Sequence, residues 1–438
     1  MSKVISMLIL LATVFCVIAL SQAPTGIITG TITDESGAVI PNATITITNK
    51  ATGFSRTVTS SEQGLFGAPA LPAGEYEVKA EVNGFRTLLR EASVQTGNTT
   101  TVNLPMQLGG TKDVVTVEAA SAQVNYETHN IQGVVTRNTI QELPLNGRSF
   151  MQLAVLEPGV TVSAGTTAQF NTLFTVSVLG SGNHTVYTVD GGNISDNIDT
   201  SGGISSMNFS QETVQEFQLS SANFDLATPI AGGGAINIVT RSGGNDFHGS
   251  AYFFFRDHNM AAYPNLKRDP KVPDPFFARR NPGVWVGGPI KKDKLFFFFN
   301  YEHTNQVQSV SIASTTPSFQ PLTGTYGSPY TARVFSGKID YRLNTKNSMF
   351  VRYSHDGNEG FAQSLEFGDP SNWPHNRNWA DQSIMGVTTV FTPALVNDLR
   401  FQYNYWNNHN DPARPADCAL PYQVQASPCQ GMSTFVAT

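Results

Sequence analysis

The feature that most constrains the fold of this 438-residue chain is a period-two alternation of apolar and charged residues in its C-terminal half. From position 335 to 343 the odd positions are apolar or Gly, and the even positions are Ser, Lys, Asp and Arg. The pattern recurs from 398 to 405, where Asp, Arg, Gln and Asn alternate with Leu, Phe and Tyr. Because successive side chains of a strand point to opposite faces, each segment predicts a strand with one apolar and one charged face. A soluble β-sandwich with one solvated face would produce the same pattern.

The connections between the strands favour one of these two interpretations. We predict seven strands, at 246–256, 282–290, 294–303, 332–343, 348–356, 381–391 and 395–406. The tight joins lie at 291–293, 344–347 and 392–394, and the long joins lie at 257–281, 304–331 and 357–380. Alternation of short turns and long loops is typical of outer-membrane β-barrels. Soluble domains rarely contain three structureless loops of this length.

Residues 245–438 are therefore expected to form the N-terminal part of an antiparallel transmembrane β-barrel. Aromatic runs at 253–255 and 296–299 are expected to face lipid and its interfaces. Single-chain bacterial barrels have even strand numbers, and a plugged lumen implies roughly 22 strands. We therefore expect the barrel to be incomplete, with the sequence truncated within it.

The composition excludes some partners and supports an all-β-dominated fold. Lys plus Arg total 27 against 33 Asp plus Glu, and no basic block able to neutralise phosphates is present, so nucleic acid is not an expected partner. Only 14% of residues are charged, whereas Gly (38), Phe (28) and Tyr (13) are plentiful. This mixture favours strands and turns over amphipathic helices.

The N-terminus predicts export. Lys3 precedes an apolar run over 4–20, which is typical of a secretory signal peptide spanning 1–21, although a membrane anchor is an alternative. Two cysteines remain in the mature chain, Cys418 and Cys429, and an oxidising compartment makes them a candidate disulfide.

Residues 22–108 read as short strands separated by turn signals at 36–37, 63–64, 72–74 and 83–84. This spacing predicts a small β-sandwich. The segments Gly-Thr-Ile-Thr-Asp-Glu-Ser-Gly at 30–37, Gly-Leu-Phe at 64–66, Leu-Pro-Ala-Gly-Glu-Tyr at 71–76 and Val-Asn-Gly-Phe at 82–85 resemble the carboxypeptidase regulatory-like domain. The resemblance implies a non-catalytic accessory module.

Residues 119–244 carry three ordered motifs. These are Leu-Pro-Leu-Asn-Gly-Arg-Ser-Phe at 143–150, Tyr-Thr-Val-Asp-Gly-Gly at 187–192, and the Gly- and Asn-containing run at 232–244. Together they resemble the α+β plug domain of TonB-dependent receptors, in the subgroup that has an N-terminal regulatory-like domain. The candidate plug residues are Leu143, Pro144, Leu145, Asn146, Gly147, Arg148, Asp190, Gly191, Gly233, Gly234 and Asn237.

The linker at 109–118 contains a candidate TonB box. Its residues are Asp113, Val114, Val115, Thr116 and Val117. A β-branched run in a mobile linker can add as a strand to a partner's sheet edge through main-chain hydrogen bonds. The alternative interpretation is a final sandwich strand or a first plug strand.

The sequence carries no recognised catalytic constellation. No H-E-x-x-H, G-x-S-x-G or phosphate-loop motif is present, so we expect neither an enzyme nor a cofactor. A secreted carboxypeptidase would need a zinc site that the sequence lacks. Asp190, Asp196 and Asp199 lie close together, but the ligand spacing of a calcium loop is missing, so no metal is expected.

The resemblance implies a TonB-dependent receptor in the cell outer membrane, surrounded by lipid, with its sandwich and plug on the periplasmic side. A captured extracellular ligand would shift the plug and expose the TonB box to TonB, which is energised from the inner membrane. The ligand is not readable, although the regulatory-like domain favours saccharides or other large organic ligands over siderophores. A structural or adhesive outer-membrane protein that transports nothing is the alternative.

Overall fold

A computed structural model describes the protein at residues 25–109, 114–117, 131–145, 147–164, 174–180, 185–195, 205–222, 233–262, 275–312, 324–361 and 375–411. The predicted signal peptide, Asp113, Asn146, and both cysteines of the candidate disulfide, Cys418 and Cys429, lie outside these residues. Within the described ranges no helix has the length and apolarity needed to span a membrane.

The N-terminal unit is a two-sheet β-sandwich. Its strands are β1 (Thr25–Thr33), β2 (Thr44–Asn49), β3 (Ser55–Thr59), β4 (Leu65–Pro72), β5 (Gly74–Glu81), β6 (Thr87–Val94), β7 (Thr99–Thr101), β8 (Leu104–Pro105) and β9 (Val114–Val117). One sheet has the order β4-β1-β7 with β8 also on β1, and the other has the order β3-β2-β5-β6-β9. Alternate residues of the strands point between the sheets, where Ile28, Ile45 and Tyr76 are fully buried.

The turns of the sandwich use glycine where the backbone requires it. Gly37 and Gly64 adopt φ values of 86° and 69°, in the left-handed region that L side chains avoid. A Cβ atom at Gly64 would also lie 2.8 Å from the carbonyl oxygen of Ile32. Both turns fall at positions that the sequence predicts.

The plug is a mixed α+β unit. Its elements are β10 (Ile131–Thr136), α1 (Arg137–Glu142), a 3-10 helix (Phe150–Leu156), β11 (Val160–Ala164), β12 (Phe174–Val178), β13 (Thr185–Val189), β14 (Gly192–Asn193), a 3-10 turn (Gln211–Thr213), β15 (Val214–Ala222) and β16 (Gly234–Thr240). The main sheet has the order β10-β15-β16-β13-β14, and β11 pairs with β12. Strand β16 is buried along its whole length, which makes it the centre of the plug.

The C-terminal unit is one antiparallel sheet of seven strands. They are β17 (His248–Asp257), β18 (Phe277–Lys291), β19 (Leu295–Ile312), β20 (Gly324–Arg342), β21 (Asn347–Phe361), β22 (His375–Thr392) and β23 (Leu395–Asp411). Each strand pairs with its neighbour in sequence, and β17 and β23 are the two edges. The seven strands do not close into a barrel, in agreement with the prediction of an incomplete one.

The strands are longer than the sequence pattern indicates. β18 to β22 all extend into the regions predicted as long loops, so the connections at that end shorten to 258–276, 313–323 and 362–374. The predicted lengths of these loops are therefore wrong. Alternation between tight and long connections remains, because the turns at the other end are 292–294, 343–346 and 393–394.

The two faces of this sheet differ as the alternation predicts. Ile339 is 48% exposed on the outward face, whereas Lys338 is buried on the face that the plug covers. The expectation that whole aromatic runs face lipid is only half correct. Phe297 and Phe299 point outward, and Phe296 and Phe298 point inward and are buried. A strand cannot present consecutive side chains to the same side.

Candidate functional site

The candidate functional site is the surface where the plug packs against the inward face of strands β17–β23, here called the plug–barrel contact. Three of the motif residues of the plug, Gly147, Arg148 and Asp190, contact barrel residues on this surface. The plug–barrel contact contains two clusters of charged side chains, one around Asp190 and one around Glu212 and Glu302.

Asp190 lies at the tip of the hairpin that joins β13 to β14. Val189 pairs with Gly192, so Asp190 and Gly191 form a two-residue loop. Both adopt positive φ values, 49° and 81°, as a type I′ turn requires, and Asp-Gly is a preferred pair for that turn. The local sequence therefore directs Asp190 out of the plug sheet toward the barrel wall.

The Asp190 carboxylate is buried and fully engaged in hydrogen bonds. It accepts one from the Thr240 backbone N–H at 2.9 Å, one from the Thr240 hydroxyl at 2.6 Å, and one from Nε of Arg352 at 2.8 Å. Lys338 Nζ lies 3.9 Å away. Burial opposes ionisation, but Lys338, Arg352 and the Thr240 hydrogen bonds outweigh it and lower the pKa of Asp190 to about 2.

Arg352 of β21 holds this hairpin against the barrel wall. Its guanidinium donates to the carboxylate of Asp190, to the Ser354 hydroxyl at 2.6 Å, to Oε1 of Gln382 at 2.6 Å and to the Val189 carbonyl at 3.3 Å. The side chain is completely buried. A planar group with several fixed donors is suited to this task, because one residue can satisfy acceptors on both the plug and the barrel. Arg400 of β23 adds a hydrogen bond to the backbone carbonyl of Asp190.

The second cluster joins three plug arginines to two glutamates. Arg137 and Arg148 pair with Glu212 of the plug, and Arg148 Nη2 also lies 3.5 Å from Glu302 of β19. Arg241 lies 3.9 Å from Glu212. Glu302 accepts further hydrogen bonds from the Ser210 and Tyr252 hydroxyls, at 2.7 and 2.8 Å.

Aromatic rings of the barrel enclose these arginines. The guanidinium of Arg148 lies 4.1 Å from the ring centroid of Phe254, and that of Arg241 lies 3.8 Å from Trp285. Cation–π contacts of this kind are strongest where water is excluded. Arg148 itself has a positive φ of 61°, so the loop is held in a strained conformation that aims the side chain at the barrel.

The sandwich contacts both other units on the side of the tight turns. Its Thr96 backbone N–H donates to Glu216 of the plug at 2.7 Å. Burial raises the pKa of Glu216, and the hydrogen bonds from Thr96 oppose that rise. The Asn245 N–H donates to the Ala51 carbonyl at 2.9 Å, and Arg342 lies over the ring of Phe54 at 4.6 Å. The sandwich thus packs against plug and barrel together.

The candidate TonB box forms strand β9 over Val114–Val117. This strand pairs in parallel with β6, with Thr87 opposite Val114 and Arg90 opposite Val117. The structure therefore shows the arrangement that the sequence leaves as an alternative, a final strand of the sandwich. The other edge of β9 carries no strand from the described part of the chain.

The structure places most of the other predicted site residues in or beside the plug. Leu145 packs on the plug core, Leu143 and Pro144 are exposed at the end of α1, and Gly147 abuts Arg279 of the barrel. Gly233 precedes β16 and Gly234 is its first residue, where a Cβ would lie 2.8 Å from the Val178 side chain. Asn237 is buried and accepts a hydrogen bond from Thr188 at 3.0 Å. Asp196 and Asp199 lie outside the described residues.

The sequence reasoning missed the partners of these motif residues. The alternation gives no reason to select Arg352, Gln382 or Glu302, although it places Lys338 on the predicted charged face. The sequence offers no signal that would select them, because the inward face of an open, water-filled barrel is polar as well. Where the described residues reach, no group of three His, Cys, Asp or Glu side chains is placed to hold a metal ion.

Two family models match the chain. Residues 27–107 match the carboxypeptidase regulatory-like domain. Residues 239–335 and 322–435 match an outer membrane beta barrel domain. The two matches cover the sandwich and the seven-stranded sheet.

One curated relative and several solved structures are similar to the chain. The TonB-dependent transporter Oar of Myxococcus xanthus is 28% identical over 321 residues, which cover 67% of this chain and 28% of the relative. The siderophore receptor PirA of Acinetobacter baumannii is 15% identical with a TM-score of 0.45, covering 63% of this chain and 40% of that one. The outer membrane transporter YddB of Escherichia coli is 9% identical with a TM-score of 0.48, covering 64% and 40%.

Proposed function

Because this chain is an outer-membrane β-barrel protein homologous to a TonB-dependent transporter, we propose that the complete protein imports a ligand across the outer membrane in a TonB-dependent step. The chain spans only about a quarter of the curated relative's length, so the transport activity is assigned to the longer protein. Energy would come from TonB and not from a nucleotide bound by this chain.

The observation that carries this proposal is the hydrogen-bonded, charged plug–barrel contact. Two of its ion pairs cross from the plug to the inward face of the barrel, those of Asp190 and Arg148. A third, made by Arg137, lies within the plug. Such a contact is specific in geometry, but water can replace its hydrogen bonds once the plug shifts. A plug that must move needs polar contacts more than a continuous apolar core.

TonB would engage the edge of the sandwich sheet that ends in β9. Strand addition relies on main-chain N–H and carbonyl groups, and β9 is the outermost strand of its sheet. A TonB strand could pair with the free edge of β9 or take the place of β6. Either mode uses the backbone of Val114–Val117, so the side chains there would tolerate exchange.

Substitutions in β9 test this proposal in the full-length protein. Val115→Pro removes one main-chain N–H and is expected to weaken binding of the purified periplasmic domain of TonB, whereas Val115→Ala keeps the N–H and is expected to bind. Deletion of 113–117 should abolish both TonB binding and uptake while the protein still assembles in the membrane. TonB binding and uptake that survive the deletion would leave a structural or adhesive role as the better interpretation.

The ligand class is proposed from domain content. The regulatory-like domain favours an oligosaccharide or another large organic ligand over a ferric siderophore, although two structurally similar proteins are a siderophore receptor and a ferric enterobactin receptor. Fluorescent oligosaccharides of graded length and a ferric hydroxamate, offered to cells producing the protein, separate these classes. Accumulation of the ferric chelate alone would contradict the saccharide assignment.

A further inference from the structure

A second concave site lies on the outward face of the seven-stranded sheet, away from the plug. It is a groove of about 440 Å³ across β20–β23, near the strand ends that carry the long connections. Its outward orientation follows from the register. His355 lies opposite Asp381 on one face, whereas the adjacent residues Ser354 and Gln382 face the plug side with Arg352.

The groove combines aromatic walls with cationic side chains. Trp379 and Tyr405 line it and are 53% and 43% exposed. Arg333, Arg377 and His409 line it as well. Arg377 pairs with Asp411, whereas Arg333 is exposed and makes no ion pair with any described residue. Arg333 therefore has a free guanidinium for an anionic ligand.

A hydrogen-bond network fixes the inner side of the groove. The Asp381 carboxylate accepts from the Tyr353 hydroxyl at 2.7 Å and from the Trp379 indole N–H at 2.7 Å, and it lies 2.8 Å from His355 Nδ1. The His355 ring meets Trp379 edge-on, with 4.5 Å between the centroids. Asp381 is thus occupied by partners, and Trp379 is oriented before any ligand arrives. Glu359 is the acidic residue among those that line the groove, and its carboxylate lies 3.7 Å from His375 Nε2.

The position of the groove restricts what can reach it. On the same outward face, toward the tight turns, β23 exposes Leu399, Phe401 and Tyr403, and β20 exposes Ile339. These apolar side chains form a lipid-facing belt of the kind that outer-membrane barrels carry. The groove lies directly beyond this belt, at the level where aromatic and cationic residues meet headgroups. A lipid bound there by its headgroup would lie beside the barrel, with its acyl chains in the membrane.

We propose that this groove binds the phosphorylated sugar headgroup of a glycolipid in the outer leaflet. Arg333 supplies the charge for a phosphate group, because guanidinium donors match phosphate oxygens, whereas the charge of Arg377 is already paired with Asp411. Trp379 and Tyr405 supply flat faces for a sugar ring, with Asn407 beside them as a hydrogen-bonding group. The site is separate from the proposed ligand path, because it lies on the opposite face of the sheet.

Native mass spectrometry of the full-length protein in nanodiscs tests this site. The probe is a doubly phosphorylated glycolipid titrated into phosphatidylcholine. Wild-type protein is expected to retain the glycolipid, and Arg333→Ala is expected to weaken retention about fivefold, the effect of one cation near a headgroup. Trp379→Ala should weaken it to a similar degree, and Trp379→Phe should restore most of it.

Arg280→Ala is the matched control. Arg280 is an exposed arginine of β18 at the same end of the sheet as the groove, but it does not line the groove. Retention that falls equally in Arg280→Ala and Arg333→Ala would show general interfacial charge and overturn the site. Undiminished retention of a dephosphorylated glycolipid would also overturn it, because Arg333 would then have no anionic group to bind. A folded-barrel shift in gel mobility confirms that each variant is assembled.

Discussion

Nε of Arg352 on β21 donates a 2.8 Å hydrogen bond to the carboxylate of Asp190 on the plug, and both side chains are almost completely buried. The two residues are 162 positions apart in the chain. Loss of either partner leaves a buried charge with fewer compensating groups, because burial removes the water that would otherwise solvate it. The pair therefore couples the position of the plug hairpin to the barrel wall.

Removal of Arg352 is expected to loosen the plug strongly. Arg352→Met leaves Asp190 buried with only the Thr240 hydrogen bonds and the more distant Lys338, so the free energy of unfolding should fall by about 3–5 kcal/mol. Denaturant titration of the full-length protein in detergent, followed by the fluorescence of Trp285 and its neighbours, measures this change. The matched control is Arg280→Met, which removes an exposed arginine.

The paired variant distinguishes coupling from general damage. Asp190→Asn combined with Arg352→Met should cost less than the sum of the two single changes, because the second change removes a charge that the first left unpaired. Additive costs would contradict a direct energetic link between the two residues.

Acid is expected to weaken the same contact. The folded-state pKa of Asp190, about 2, lies below its ordinary value of 3.8, so its ionised form contributes stability above the ordinary value. That contribution is lost as the pH falls from about 4 toward about 2, since the carboxylate must then take up a proton. Urea midpoints measured across this window should decline more steeply for wild type than for Asp190→Asn. If the urea midpoints of the two proteins declined in parallel, the stabilising role of the ionised Asp190 carboxylate would be contradicted.

The sequence predicts the strands of the barrel sheet better than their ends. Alternation identifies the segments around Ile339 and Phe401 because one face meets lipid and the other meets the plug. It fails at 357–361 and 375–380, where Gly, Asn, Glu and Arg give no apolar pattern. Those residues are strands because the neighbouring strand supplies main-chain partners, and that cause leaves no mark on side-chain type.

At the candidate site, too, one feature could be predicted from the sequence and another could not. The Asp-Gly pair at 190–191 predicts a tight hairpin from local chemistry alone, and the structure has one. The partner of Asp190 could not be predicted, because Arg352 is one of several inward cations on the charged faces of the barrel strands. Only the register of plug against barrel selects it, and that register depends on the packing of the whole plug.

The contact between sandwich and plug is expected to depend on Glu216. Glu216→Ala removes the acceptor of the Thr96 amide, so hydrogen exchange of that amide should accelerate. Glu216→Gln keeps a side-chain oxygen and removes the buried charge, so exchange should remain slow or slow further. Glu77→Ala is a suitable control, since Glu77 is exposed on the same sandwich. If the Thr96 amide exchanged at the same rate in Glu216→Ala as in wild type, the packing of the sandwich against the plug would be contradicted.

Substitution of Gly191 separates local strain from its effect on the plug. Gly191 and Gly37 have similar φ values, 81° and 86°, so Ala at either position should cost about 1 kcal/mol through the same left-handed strain. A Cβ at Gly37 would meet no atom within 4 Å, and its loop lies in the sandwich. Gly191 adjoins Asp190, so Gly191→Ala should also displace the carboxylate from Arg352 and cost more than Gly37→Ala. The excess should disappear when both are measured in an Asp190→Asn background, because the contact that carries it is already weakened there. An excess that persists in that background would mean that the hairpin's own stability, and not its bond to the barrel, accounts for the difference.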